Sequence, residues 1–210
     1  HRQYSLGFAA IHYTRLVRAL DPKRQDRLNR SKMKTHNEDT TDDLDEIFDV
    51  VNEDDEVVGQ ASRMECNSNP QIIHRSVFVL IYNDEGQVLW QKRSMTKDTC
   101  PGAWVTSTSG HVSSGDTYTE TAIRETIEEL GVSVEVEFLG KFLFRYATEN
   151  EYSAIFRAHC NGPFDFNPEE ISDIKFMYFS EILKLEHEAR LELSQAVHYI
   201  AEAIPGINSA

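Results

Sequence analysis

The stretch Gly110 to Val132, GHVSSGDTYTETAIRETIEELGV, constrains this chain more than any other. It reads as a glycine-bearing loop running into a helix with carboxylates on one side and apolar residues on the other. Thr117 followed by Glu120 is a capping box, in which hydroxyl and carboxylate each satisfy a backbone N–H left unpaired by the first helical turn. The helix is predicted to start at about Thr117, and Gly131, free to adopt a left-handed conformation, is its natural stop. Residues three and four apart share a helix face. Glu125, Glu128 and Glu129 then gather on one side, with Ile123, Thr126, Ile127 and Leu130 roughly opposite. Arg124 is one turn from both Glu120 and Glu128 and can pair with either. Three carboxylates so placed repel one another, and a divalent cation removes the repulsion. Mg2+ and Mn2+ prefer such hard oxygen ligands, and Mg2+ commonly shares its coordination between water and substrate phosphates. The plainer alternative is a solvated acidic face.

Charge narrows the partners. The net charge of -14 is uneven: residues 1–35 hold nine Lys or Arg against two Asp, and the remainder holds twelve basic against thirty-three acidic residues. An acidic body does not fit a nucleic-acid backbone binder. It would attract a metal ion more readily than a bare polyanion, so a phosphorylated substrate is expected to arrive with its cation. Cys66, Cys100 and Cys160 form no CxxC pair, which fits a reducing, cytoplasmic setting. The longest apolar run, Val77–Tyr82, is strand-sized and far short of a membrane span.

The basic head, residues 1–35, reads as a disordered or non-native leader, with a docked helix or a targeting segment as alternatives. Asn37–Glu46 is acidic and polar and reads as a linker, so the expected division is 1–43 leader and linker, 44–204 folded domain. Within that domain Ile47–Val51 and Glu56–Ala61 form a predicted hairpin, followed by a turn-rich connection over residues 62–71. Strands are expected at Ile72–Tyr82, Gln87–Lys92, Trp104–Thr108, Val134–Tyr146, Glu151–Cys160 and Ile174–Phe179. A short helix, Ser180–Lys184, and a longer one, Glu186–Ile204, close the chain. Strands, helix, strands, helix imply an α+β fold, an α/β/α sandwich with a central mixed sheet.

Outside the helix, Arg75, Lys92 and Arg93 flank the strands near their loops, as a set able to hold phosphate oxygens that a metal leaves free. Trp104 is expected chiefly to fill core, and is also a candidate substrate contact together with Gly110. His74, His111, Glu149 and Glu151 are two imidazoles and two carboxylates, a donor set that suits a divalent metal. Glu149 and Glu151, two apart at a strand start, share one side of a sheet.

Gly110, Asp116, Arg124, Glu125, Glu128, Glu129, Gly131 and Val132 together resemble the Nudix box at its spacing. Two positions depart from it: Asp116 stands where the family usually has Glu, and Thr126 where it usually has an aliphatic residue. A second resemblance, over roughly residues 44–186, is to the isopentenyl-diphosphate isomerase-like branch of that superfamily. It is carried by FDVVNEDDEVVGQASR from Phe48, HRSVF from His74, PGAWVTSTSGH from Pro101 and ENEYSAIF from Glu149. The resemblance implies metal ligation by His74, His111, Glu149 and Glu151, with Glu151 also the acid of an isomerisation. Ser109 stands where that isomerase has a catalytic cysteine, and Asn67 where it has a further metal histidine. A serine hydroxyl exchanges protons poorly near neutral pH.

The expected activity is therefore Mg2+- or Mn2+-dependent hydrolysis of a diphosphate linkage in a small phosphorylated metabolite, nucleoside-linked or prenyl-like. The alternatives are an isopentenyl-diphosphate isomerase and an inactive binding module. Glu125, Glu128, Glu129 and Asp116 are the expected metal ligands of the helix, with Arg124 beside them. Glu170, Glu169, Glu149 and Glu151 are candidates for the base, and Gly110 lies at the substrate loop. The partners expected are a small diphosphate, no nucleic acid and no membrane, in a monomer or homodimer.

Overall fold

The computed structural model describes residues 40–207; the leader expected over residues 1–35 lies outside the described residues. The elements are β1 (Ile47–Val51), β2 (Val57–Ser62), α1 (Arg63–Ser68), β3 (Ile73–Tyr82), β4 (Val88–Arg93), β5 (Trp104–Val105), β6 (Thr108–His111), α2 (Tyr118–Leu130), β7 (Glu137–Arg145), β8 (Asn150–His159), β9 (Ile171–Met177), α3 (Phe179–His187) and α4 (Gln195–Ala203).

The apolar run of β3 does not alternate with polar residues because both of its faces are covered. Val77, Val79 and Ile81 pack with Ala122 and Leu130 of α2. Phe78 and Leu80 pack on the other side with Ile182 of α3 and with Val197 and Ile200 of α4. β3 pairs β8 in parallel, from Ile73 opposite Asn150 to Tyr82 opposite His159, and β6 antiparallel, from Ser76 opposite His111 to Val79 opposite Thr108. The nine strands make one mixed sheet between helices, the expected α+β architecture.

The signature helix begins and ends as its sequence predicts. Thr117 is the N-cap, both halves of the capping box with Glu120 are formed, and Gly131 closes the helix at φ 69°. A second capping box, Ser62 with Glu65, starts α1 inside a stretch expected to be turns. That signal was legible but short. The long C-terminal helix expected over Glu186–Ile204 is divided: α3 ends at His187 and α4 starts at Gln195. The intervening backbone pairs with Trp104 instead, whose N–H donates to the Glu192 carbonyl (2.8 Å) and whose carbonyl accepts from Ser194 N–H (2.9 Å). Tertiary pairing overrides a helix-prone sequence there. Ser180 is the second residue of α3 rather than its cap, since Tyr178 occupies that place.

Residues 40–46, whose composition reads as linker, are fastened to the body: Leu44 and Glu46 carbonyls accept from Met64 and Arg63 N–H at 3.1 and 2.8 Å. Thr117→Ala removes a formed cap, and its unfolding midpoint in urea should fall by an amount equivalent to about 1 kcal/mol with an unchanged slope.

Candidate active site

Of the three signature glutamates, two point inward. Glu129 is 4% exposed, and its Oε2 accepts a 2.8 Å hydrogen bond from Gln91 Nε2 of β4. The Glu125 side chain passes under Gly110, where an added Cβ would lie 2.4 Å from Oε1. Glycine at 110 is therefore the residue that leaves this carboxylate its space. Glu128 faces solvent and accepts from Arg124 Nη1 at 3.0 Å. The helix buries Ala122, Thr126, Glu129 and Leu130, while Ile127, expected on the apolar face, is 48% exposed. The inward face is thus rotated toward the acids. Thr126 satisfies its buried hydroxyl on the Ala122 carbonyl at 2.7 Å.

Burial is the largest influence on both inward carboxyls. Opposed by Arg124 but reinforced by Glu128, Glu170 and Glu46, it pushes Glu125 up to about 7. Burial, with Glu125 and Glu170 beside it, pushes Glu129 well above the usual carboxylate range against the pull of Arg93 and Lys97. Arg124 also lies 3.0 Å from Glu125 Oε1 and 4.0 Å from the half-exposed Asp116, while Glu120 is engaged in the cap.

The loop after β8 is stitched to the end of α2. Asp165 and Asn167 donate backbone N–H to the carbonyls of Leu130 and Glu129, at 3.1 and 2.9 Å. This brings Glu170 toward the acid face, where it pairs with Lys97. Lys97 pairs with Asp42 as well, and Asp42 lies 3.3 Å from Arg63. Arg63 in turn holds Asp98 at 3.0 Å and Glu46 at 3.4 Å. Arg63 and Lys97 are buried cations beside the acid face that the sequence reading did not single out. Their signal is positional only, since each becomes conspicuous through what folds against it.

His74, His111, Glu149 and Glu151 also come together, with one ligand atom from each lying within 4.8 Å of the others. Strand register does this: His74 is opposite Glu151, and Ser76 is opposite both His111 and Ser153. His111 Nε2 is 3.1 Å from Glu151 Oε1, and His74 Nε2 is 3.6 Å from the same oxygen and 4.0 Å from Glu149. Both His74 ring nitrogens and Glu149 Oε2 are buried with no hydrogen-bond partner. Orphaned donor atoms of this kind fit a metal site. Burial raises Glu149, with Glu151 adding to it. Burial also raises Glu151, but the His111 and His74 imidazoles outweigh it and hold that carboxyl well below the usual range.

The two clusters lie on opposite faces of the sheet. His74, Ser76 and Phe78 share the α4 face of β3, and Val77, opposite Gly110, faces α2. Ser109, opposite Phe78, is on the face of the histidines. Glu149 and Glu151 are thus set apart from the acids of α2, whereas Glu170 is beside them.

The remaining expected residues are placed as follows. Arg93 ties down its own loop by donating to the Thr99 carbonyl (2.9 Å) and hydroxyl (3.2 Å), while its charge reaches Glu129 and Glu149. Arg75 grips Asp55 at 2.7 Å in the β1–β2 turn, beside Tyr118. Lys92 is half-buried opposite Trp104, and Trp104 packs against the α3–α4 core. All three cysteines are free, and among the described residues no helix is long and apolar enough to cross a membrane.

A buried acid pair on a capped helix, packed on a mixed sheet, is the architecture of a Nudix domain. A model of the NUDIX domain matches residues 72–197. An uncharacterised Nudix hydrolase of Yersinia pestis is 34% identical over 138 residues, 65% of this chain and 75% of that protein. Another, of Streptomyces coelicolor, is 36% identical over 141 residues, 66% and 77% of the respective chains. The crystal structure of DR0079 from Deinococcus radiodurans matches with a TM-score of 0.66 at 28% identity, over 75% of this chain and 98% of that one. The chain belongs to the Nudix family and is a Nudix hydrolase.

Gly110→Ala should displace Glu125, and Mn2+ held through that carboxylate would then bind roughly tenfold or more weakly, about 1.4 kcal/mol per decade. Electron paramagnetic resonance titration of Mn2+ against the wild-type chain reads this directly.

Proposed function

We propose that the chain hydrolyses the diphosphate bridge of a small phosphorylated metabolite with Mg2+ or Mn2+ held by Glu125 and Glu129, and that Glu128, expected from the sequence to share in this, stands at the solvent rim on Arg124. The observation that carries this reading is the convergence of two inward carboxyls, Glu125 beneath Gly110 and the buried Glu129 on Gln91, the first acting on the second and both felt by Glu170. Carboxyls forced toward the neutral form by burial are an unfavourable arrangement for a mere packing face. As hard oxygen donors they fit a divalent cation, which when bound would supply charge neutralisation of the phosphoryl oxygens and a more acidic water.

The chain's own residues do the rest. Hydrolysis forms one P–O bond to the oxygen of water, breaks one P–O bond of the bridge, and moves a water proton to a base. Glu170 is the favoured base, because its loop is bonded to the end of α2 and its charge acts on both inward glutamates. Lys97, held by Glu170, and Arg63 next to it are positioned to take phosphoryl oxygens. Arg124 and Asp116 support the outer rim of the acid face. Gln91 fixes the rotamer of Glu129.

The His74, His111, Glu149 and Glu151 group is a second place for a metal, on the other side of the sheet. It keeps the isomerase alternative in view, since Ser109 shares its face. The hydroxyl there is a poor proton donor or acceptor, so hydrolysis is the reading we favour.

Turnover of nucleoside diphosphate derivatives and of isopentenyl diphosphate, each with Mg2+, tests this. E129Q should lose on the order of 100-fold or more in turnover, the scale of a lost essential acid–base or metal-binding group. E149Q should retain more activity than E129Q. Full turnover by E129Q, or an allylic isomer from isopentenyl diphosphate with no phosphate release, would overturn the assignment.

A further inference from the structure

We infer that residues 40–46 form a strap whose Asp42 carboxylate occupies the position a substrate phosphoryl group would take, so that strap and substrate compete for Arg63 and Lys97. The inference rests on the reading above that these two cations face the diphosphate, and it concerns how that site is regulated.

The environment of Asp42 is that of a bound anion. Its side chain is 5% exposed. Oδ1 meets Arg63 Nη2 at 3.3 Å and the Lys97 ammonium. Oδ2 accepts from the Asp98 backbone N–H at 2.9 Å and from the Thr40 hydroxyl at 3.0 Å. A guanidinium, an ammonium and a backbone N–H converging on two oxygens would serve a phosphoryl group equally well. The place is also contiguous with the acid face, because the same Lys97 ammonium pairs with Glu170.

The segment that carries Asp42 is held by polar ties rather than by core. None of residues 40–46 belongs to either apolar core cluster. Beyond Asp42, its fastenings are polar: backbone bonds from Thr41 N–H to Thr96 (3.3 Å), from Met64 N–H to Leu44 and from Arg63 N–H to Glu46, with the Glu46 carboxylate also accepting from Ser113 Oγ at 2.8 Å and pairing with Arg63 at 3.4 Å. Moving the strap away strands no buried cation: Arg63 keeps Asp98, and Lys97 keeps Glu170. That removes the usual penalty for breaking a buried ion pair. An anion with two phosphates could take over the vacated donors.

Competition of this kind weakens apparent affinity by the fraction of time the strap is away. An occupancy of about nine-tenths costs about tenfold. The probe is inorganic pyrophosphate, titrated by calorimetry into the full chain in EDTA, so that neither metal nor turnover enters the result. D42N should bind it about tenfold more tightly than the wild type, and D42N/K97M should lose that gain. In the wild-type chain, hydrogen exchange of the Thr41 to Glu46 amides should speed up when pyrophosphate is added, which also decides the matter if D42N does not fold. Unchanged or weaker binding by D42N overturns the inference. So does tighter binding by D42N with unchanged exchange in the wild type, which would leave Asp42 a repelling charge and nothing more. Failure of the hydrolase reading would appear separately, as strap release without cleavage of any diphosphate.

Discussion

The rest of the structure depends on two carboxylates being taken out of water together. Glu129 is buried and Glu125 largely withdrawn from solvent between α2 and the sheet, Glu125 beneath Gly110 and Glu129 on Gln91. Burying like charges is costly unless something opposes it. The fold answers with rigidity. The helix is capped at both ends, its inner face is locked by Ala122, Thr126 and Leu130, and the loop carrying Glu170 is hydrogen-bonded to its last turn. Gln91 holds Glu129 and the space beneath Gly110 confines Glu125, the kind of fixed geometry a cation site on a scaffold requires.

The sheet organises the chemistry by alternation. On β6, Gly110 opens the α2 face to Glu125, and the next residue, His111, points to the other face and joins His74 and Glu151. The acids of α2 and the His/Glu group therefore meet β6 on opposite faces. The ionic group around Arg63 touches the electrostatics of both: its charge acts on His111 and Glu149, and through Asp42 and Lys97 it connects to Glu170. An arginine buried in this way is retained by its partners Asp98, Asp42 and Glu46 together, not by any one of them.

Much of this was legible in the chain before folding. Thr117, Glu120 and Gly131 give the bounds of α2 because capping is local chemistry, and the paired strands follow from runs such as Val77–Tyr82. His74, His111, Glu149 and Glu151 could be named as a set, but only the β3–β8 and β3–β6 registers make them neighbours. Polarity alone points Ile127 inward and Glu129 outward; in the fold the acid lies inward on Gln91 and the aliphatic outward, beside Ala122 and Leu130 that do pack in the core. Asp42, Arg63 and Lys97 could not be found that way. They are 21 and 34 residues apart in an acidic chain, and their meaning is entirely tertiary. The break between α3 and α4 was hidden for the same reason, since its cause is Trp104, distant in sequence.

The most direct measurement is the anomalous diffraction of Mn2+ in crystals grown with a non-hydrolysable methylene diphosphonate. The account predicts an anomalous peak bonded to Glu125 and Glu129 with diphosphonate oxygens completing its coordination. A peak confined to His74, His111, Glu149 and Glu151, with the α2 face bare, would contradict it.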